Sequence, residues 1–158
     1  RDPGLVVLPT HRVVEGTFTL RRTLAGACRV RPVKDLAALT RAMAAERSPY
    51  AIGLVDGECA LLTPAPGAGA VKSGFATDWL ARRVLNGVDP HDISYFHDIS
   101  EAVAESRRSG KMAFLLKDFS VGDIRRAVGR AGLLPQKSTY FYPKIPTGLV
   151  FRAFDLDP

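Results

Sequence analysis

Ile93-Ser94-Tyr95-Phe96, His97-Asp98-Ile99-Ser100-Glu101 through Gly110, Met112-Ala113-Phe114-Leu115-Leu116, and Ser120-Val121-Gly122-Asp123 through Gly132 decide the fold class. They read strand, helix, strand, helix. Met112 to Leu116 is an unbroken apolar run, as a buried strand is. Asp98 with Glu101 three residues on resembles a capping box and opens a helix over about residues 99 to 109. Ser120 with Asp123 opens a second helix, with Val121, Ile124 and Val128 spaced for burial; Gly110 and Gly132 end the two. The helices can serve as crossovers between strands. The expected class is α+β (α/β), a mixed sheet with helices packed on it and a C-terminal β-hairpin.

The hairpin is read from Leu134-Pro135-Gln136-Lys137-Ser138-Thr139-Tyr140-Phe141-Tyr142-Pro143-Lys144-Ile145-Pro146-Thr147-Gly148-Leu149-Val150-Phe151-Arg152. Its alternation suggests two strands joined by a Pro/Gly turn. Ser138, Tyr140 and Tyr142 would share one face, Thr139 and Phe141 the other. Lys137 and Lys144 bracket the first strand, and Gln136, Ser138 and Thr147 add neutral donors. Such a set can bind phosphate. It can equally be a hairpin of packed aromatics with solvated lysines.

Toward the N-terminus, Leu5-Val6-Val7-Leu8 reads as a buried strand stopped by Pro9. Thr10, His11 and Arg12 follow at its carboxyl end, where open α/β sheets bind ligands. They could hold a phosphate or carboxylate, or merely satisfy backbone carbonyls. Residues 13 to 34 carry a weaker pattern: Phe18, Leu20 and Leu24 could line a short helix, and Arg29 to Val33 could extend. Asp35 to Arg47 is a good helix, with Leu36, Leu39 and Met43 on one stripe and Asp35 at its start. Asp56-Gly57 between two apolar runs predicts a hairpin. The Gly/Pro/Ala segment 64–70 lacks the phosphate-loop pattern and reads as a connection. Thr77 or Asp78 would cap a helix running to Asn86-Gly87. His91 falls in a Pro-containing turn, and His97-Asp98 at a strand–helix junction where Asp98 caps.

The chain has 158 residues, 46% hydrophobic and 24% charged, and is expected to form a single domain over residues 1–158. Arg1-Asp2-Pro3-Gly4-Leu5 lacks Met and enters a strand at once, so it is expected to be the C-terminal part of a longer protein. No apolar run approaches the roughly 18 residues of a membrane span, and no signal peptide is visible. The net charge of +6 and pI of about 9.7 invite a nucleic-acid reading. The arginines argue against it, being spread as Arg21-Arg22, Arg82-Arg83, Arg107-Arg108 and Arg125-Arg126 with no accompanying module signature. Cys28 and Cys59 lie in no CxxC and near no His, so no metal site is expected. Isolated thiols suit a reducing cytoplasm, most simply as small buried hydrophobes, with a single disulfide left open.

The two end motifs also carry a resemblance. Leu134 to Lys144 with Thr147-Gly148-Leu149-Val150-Phe151 resembles the C-terminal signature of a bacterial and archaeal family, domain of unknown function number one thousand and fifteen. Asp2-Pro3-Gly4-Leu5 and Leu8-Pro9-Thr10-His11-Arg12 match another block of it. Tyr95, His97-Asp98 and Ala113 to Leu116 match weaker ones. The resemblance covers essentially the whole chain. It implies a longer protein whose N-terminal half carries an Ala-Asp-Gly-His-His-Arg-Tyr motif, absent here. That half resembles the ParB/sulfiredoxin-type nucleotide-binding fold and the free-serine kinases built on it.

The leading expectation is therefore part of a nucleotide-dependent phosphotransferase acting on a small metabolite. His11 would be its candidate base. Thr10, Arg12, Gln136, Lys137, Ser138, Thr139, Tyr142, Lys144 and Thr147 would line its phosphate site, with ATP or ADP and Mg2+ as cofactors and the N-terminal half as partner. A non-enzymatic nucleotide- or nucleic-acid-binding regulator, or a purely structural domain, are the alternatives.

Overall fold

Continuous apolar strands need cover on both faces, and the chain supplies it with helices on each side of one sheet. The structure, a computed structural model, describes residues 6–142. In order these form β1 (Val6–Pro9), β2 (His11–Val14), α1 (Phe18–Ala27), β3 (Cys28–Val33), α2 (Leu36–Ala45), β4 (Ile52–Asp56) and β5 (Glu58–Pro64). Then come α3 (Ala76–Trp79, running on into a π-helical turn Leu80–Val84), a 3-10 turn (Pro90–Asp92), β6 (Ser94–Phe96), α4 (Ile99–Ser109), β7 (Met112–Leu116), α5 (Val121–Ala131) and β8 (Thr139–Tyr142). The main sheet has the order β3-β5-β4-β7-β2-β6, and β1 pairs with β8 in a two-stranded ribbon. The expected α+β class, with helices packed on a sheet, is what is found.

Among the described residues every ladder pair is antiparallel. Because β6 and β7 both run antiparallel to β2 between them, they are parallel to each other, and α4 is the crossover that joins them. The second arm of the expected C-terminal hairpin lies outside the described residues. Within them, β8 pairs with β1 (Val6 opposite Tyr142, Pro9 opposite Thr139).

Pleat alternation divides the sheet into two faces. Val14, Ile52, Leu54, Leu62, Phe114 and Leu116 meet Leu20 and Leu24 of α1 and Trp79, Leu80 and Val84 of α3. Val13, Val55, Leu61, Ala113 and Leu115 meet Leu39 and Met43 of α2 and Ala102 and Val103 of α4. Cys28 belongs to the first face and Cys59 to the second, and both are free thiols.

Local signals explain the element ends. Asp35 accepts from the Ala38 N–H at 2.7 Å, Asp98 caps α4, and Ser120 with Asp123 closes a full capping box on α5. Gly57 takes φ +72° at the tip of the β4–β5 hairpin and Gly110 φ +68° after α4.

Three local readings are corrected. Thr77 and Asp78 do not cap α3: Phe75 stands at the cap, and both residues lie inside the helix, buried. The Asp78 carboxylate instead accepts from Ser73 Oγ (2.7 Å) and Arg82 Nε (2.5 Å). In α5, Val121 and Val128 are exposed and Ala127 is the buried residue. Ile124 is half-buried, in keeping with its spacing. Pro9 does not end the extended chain; β2 resumes at His11.

Gly53 faces a crowded space against α2 and β7. A Cβ there would stand 2.6 Å from Met43 Sδ and 3.2 Å from Leu115 Cβ. Overpacking of this kind costs about 1–3 kcal/mol. Gly53→Ala is expected to lower the urea unfolding free energy by that amount with an unchanged denaturant slope. An unaltered midpoint would show that the packing of α2 on β4 is looser than described.

Candidate anion-binding site

Thr10 breaks an otherwise continuous extended segment, Val6 to Val14. The first part pairs with β8. The second is gripped on both sides, His11 opposite Phe96 and Arg12 opposite Tyr95 and Phe114. The consequence is burial: Thr10, His11 and Arg12 are only 1–2% exposed. The expected place at the carboxyl end of β1 is thus interior: His11 and Arg12 belong to a strand lying between β6 and β7, and Thr10 is buried at the break before it.

Their side chains divide between the faces. Arg12 shares the face of Tyr95 and Phe114, its cross-strand partners, and His11 shares that of Phe96. The guanidinium of Arg12 lies over the Tyr95 ring, 5.7 Å from its centroid. Its Nη1 donates to Thr10 O at 3.0 Å and Nη2 to Lys137 O at 3.5 Å. Among the described residues no carboxylate pairs with it. Burial pushes its pKa down to about 10, against the nearby Tyr95, so it stays cationic at neutral pH. Beside it, Thr10 Oγ1 is buried with no hydrogen-bond partner, the one such side-chain atom among the described residues. A buried cation with no carboxylate partner among the described residues and an unsatisfied buried hydroxyl, two residues apart in the chain, are each costly alone. A single anion with several acceptor oxygens would satisfy both.

The C-terminal candidates reach this place through the β1–β8 ribbon. Ser138 is buried and donates to Pro135 O at 2.6 Å. Lys137 takes φ +56°, the αL region unusual for a side-chain-bearing residue, and presents its carbonyl to Arg12. Gln136 and the Lys137 side chain are exposed, Thr139 is half-buried opposite Pro9, and Tyr142 is exposed. Lys144 and Thr147 lie outside the described residues.

His11 sits differently. Its Nδ1 accepts from the Leu116 N–H at 3.1 Å, so the neutral ring carries its proton on Nε2. Burial pushes its pKa from 6.5 to about 4, with His97 and Arg12 acting in the same direction and Asp118 and Asp98 opposing. Two contacts escaped the sequence reading. Tyr95 supplies the ring under Arg12, and His97 stacks on Tyr140 with centroids 3.5 Å apart, linking β6 to β8. Strand register was the missing signal in both cases.

One member of each arginine pair is neutralised locally: Arg21 by Asp56, Arg82 by Asp78, Arg108 by Glu105 and Arg126 by Asp123. No group of three or more His, Cys, Asp or Glu residues comes together among the described residues, and no described helix is long and apolar enough to cross a membrane.

Solved structures share this architecture. A conserved hypothetical protein from Pyrococcus furiosus aligns with a TM-score of 0.62 at 18% identity, over 92% of this chain and 60% of its own. A free serine kinase in complex with AMP aligns with a TM-score of 0.58 at 14% identity, over 89% and 55%. A glutamate-to-alanine mutant of free serine kinase in complex with ADP gives 0.59 at 15% identity over the same shares. The chain therefore spans 55–60% of the length of these structures, and at such identities the likeness is one of fold. No family model matches the sequence, and no curated protein matches it.

The His11 environment sets a pH dependence. Its folded pKa lies below its unfolded one, so between about pH 6.5 and 4 the unfolded chain binds a proton that the folded chain refuses. Stability should be full above pH 6.5 and fall as pH drops toward 4. By pH 4.5 the loss from this group is about 2–3 kcal/mol. Urea unfolding at pH 7 and 4.5 should show a drop larger by that amount in wild type than in His11→Gln. Equal drops would contradict the buried, hydrogen-bonded imidazole.

Proposed function

We propose that this chain is the C-terminal half of a nucleotide-dependent small-molecule kinase of the group resembled by domain of unknown function number one thousand and fifteen. In this reading it supplies one wall of the phosphate site. The carrying observation is the Arg12 guanidinium, buried without a carboxylate partner among the described residues beside the unsatisfied Thr10 hydroxyl. The fold shared with free serine kinases in complex with AMP and ADP supports it.

Arg12 would take a phosphate oxygen or a pair of them, and Thr10 Oγ1 would donate to another. Lys137, exposed at the ribbon's turn, would add an ammonium from the rim. Such charges stabilise a transferring phosphoryl group. Gln136, Ser138, Thr139, Tyr142, Lys144 and Thr147 complete the candidate wall, Ser138 by fixing the turn through Pro135 O. His11 is a positioning residue in this reading. Its acceptor nitrogen already holds the Leu116 N–H, and its ring faces away from Arg12. The base, the nucleotide's other contacts and the metabolite site would lie on the N-terminal half. The described residues do not gather a carboxylate set for magnesium, so an ion arriving with ATP or ADP would find its protein ligands elsewhere.

Thermal melts test this. ADP with magnesium should raise the protein's Tm. Lys137→Ala, at an exposed side chain, should reduce the affinity several-fold, and Arg12→Lys by about tenfold or more, since a bidentate guanidinium contact is worth over 1.4 kcal/mol. Circular dichroism checks that both variants remain folded. Full ligand-induced shifts in both folded variants would remove the phosphate site from these residues.

A further inference from the structure

A cleft of about 390 Å³ lies apart from Arg12, which is not among its lining residues. It opens between the segment 73–77, the end of β7 with residues 117–119, and α5. Its floor is apolar: Phe75 and Phe119 meet edge to face at 4.9 Å, flanked by Leu116 and Ala127. The volume is that of a small-ligand pocket.

Its lining carries charges of both signs, Asp118 and Asp123 against Lys117, Arg126 and Arg130. Asp123 is already engaged by the Ser120 N–H, Ser120 Oγ and one Arg126 nitrogen. Lys117 Nζ donates to Glu46 O at 2.8 Å. Asp118 is exposed at the mouth. Arg130 has no ion pair among the described residues. Its guanidinium folds over Gly74, where a Cβ would stand 3.1 Å from Nη1; φ +67° and this approach both favour glycine. The backbone N–H groups of Gly74 and Phe75 are engaged by Val71 O and Ser73 Oγ. An anion entering the cleft is therefore left to Arg130, with Arg126 beside it, while aromatic edges and aliphatic carbons receive whatever body it carries.

We propose that this cleft is a second binding site, for a small organic anion with a flat aromatic body and one phosphate or carboxylate, held by Arg130 at the rim and by Phe75 and Phe119 at the floor. It is independent of the Arg12 position. Neither the ring pair nor the arginine alone would select such a ligand. Together they reject inorganic phosphate, which gains nothing from the floor, and neutral aromatics, which gain nothing from the rim.

Phenyl phosphate is the probe. In amide NMR spectra of the protein it should shift the signals of Gly74, Phe75 and Phe119 saturably, and inorganic phosphate at the same concentration should not. Arg130→Ala, a substitution at an exposed side chain, should weaken phenyl phosphate at least about fivefold. Arg12→Lys should leave its affinity unchanged, which separates this site from the proposed kinase reading. Displacement by AMP supports the site and makes a nucleotide its source. Binding that AMP does not displace supports it with another aromatic anion as the source. Unmoved signals, equal shifts with inorganic phosphate, or wild-type affinity in Arg130→Ala would overturn it.

Discussion

The segment from Val6 to Val14 serves two sheets at once, and the rest of the structure is arranged around that constraint. Its first half needs β8 as a partner, and its second half needs β6 and β7. Val6, Val7 and Leu8 stay half-buried, while every residue of β2, polar or not, is buried. Two of the buried residues are a histidine and an arginine. The histidine is accommodated by losing its charge and holding the end of β7. The arginine keeps its charge and, among the described residues, meets carbonyls and an aromatic ring. Carbonyls and a ring are weak compensation for a buried cation, and that imbalance is the most informative feature of the molecule.

Much of the fold was legible in the sequence. Asp98, Ser120 and Asp35 mark helix starts by capping chemistry, which is local and needs no tertiary context. Gly57 and Gly110 mark turns for the same reason. Met112 to Leu116 announces a strand covered on both faces. The failures share one cause. Val121 and Val128 have burial spacing, yet α5 contacts the body through Ala127, because periodicity gives the width of an apolar face and not its neighbour. Thr77 and Asp78 look like caps, but both lie inside α3, and the Asp78 carboxylate accepts from Ser73 Oγ ahead of the helix.

For the candidate site, the sequence suggested the residue types and missed the arrangement. Lys137 is 125 residues from Arg12 in the chain and meets it through its carbonyl. His11 was grouped with Arg12 because they are adjacent, yet adjacency in a strand puts them on opposite faces. Strand pairing over more than a hundred residues determines both facts, and no local pattern encodes it. The His97–Tyr140 stack fastens β6 to β8 by the same long-range logic. Solved structures at 14–18% identity share the fold, and the chain spans 55–60% of their length.

The account turns on what neutralises Arg12. A crystal structure of the protein with ADP tests it most directly. The account predicts phosphate oxygens within hydrogen-bond distance of the Arg12 guanidinium, with Thr10 Oγ1 donating to one of them. A carboxylate of the chain itself against Arg12, with the ADP phosphates bound elsewhere, would contradict it.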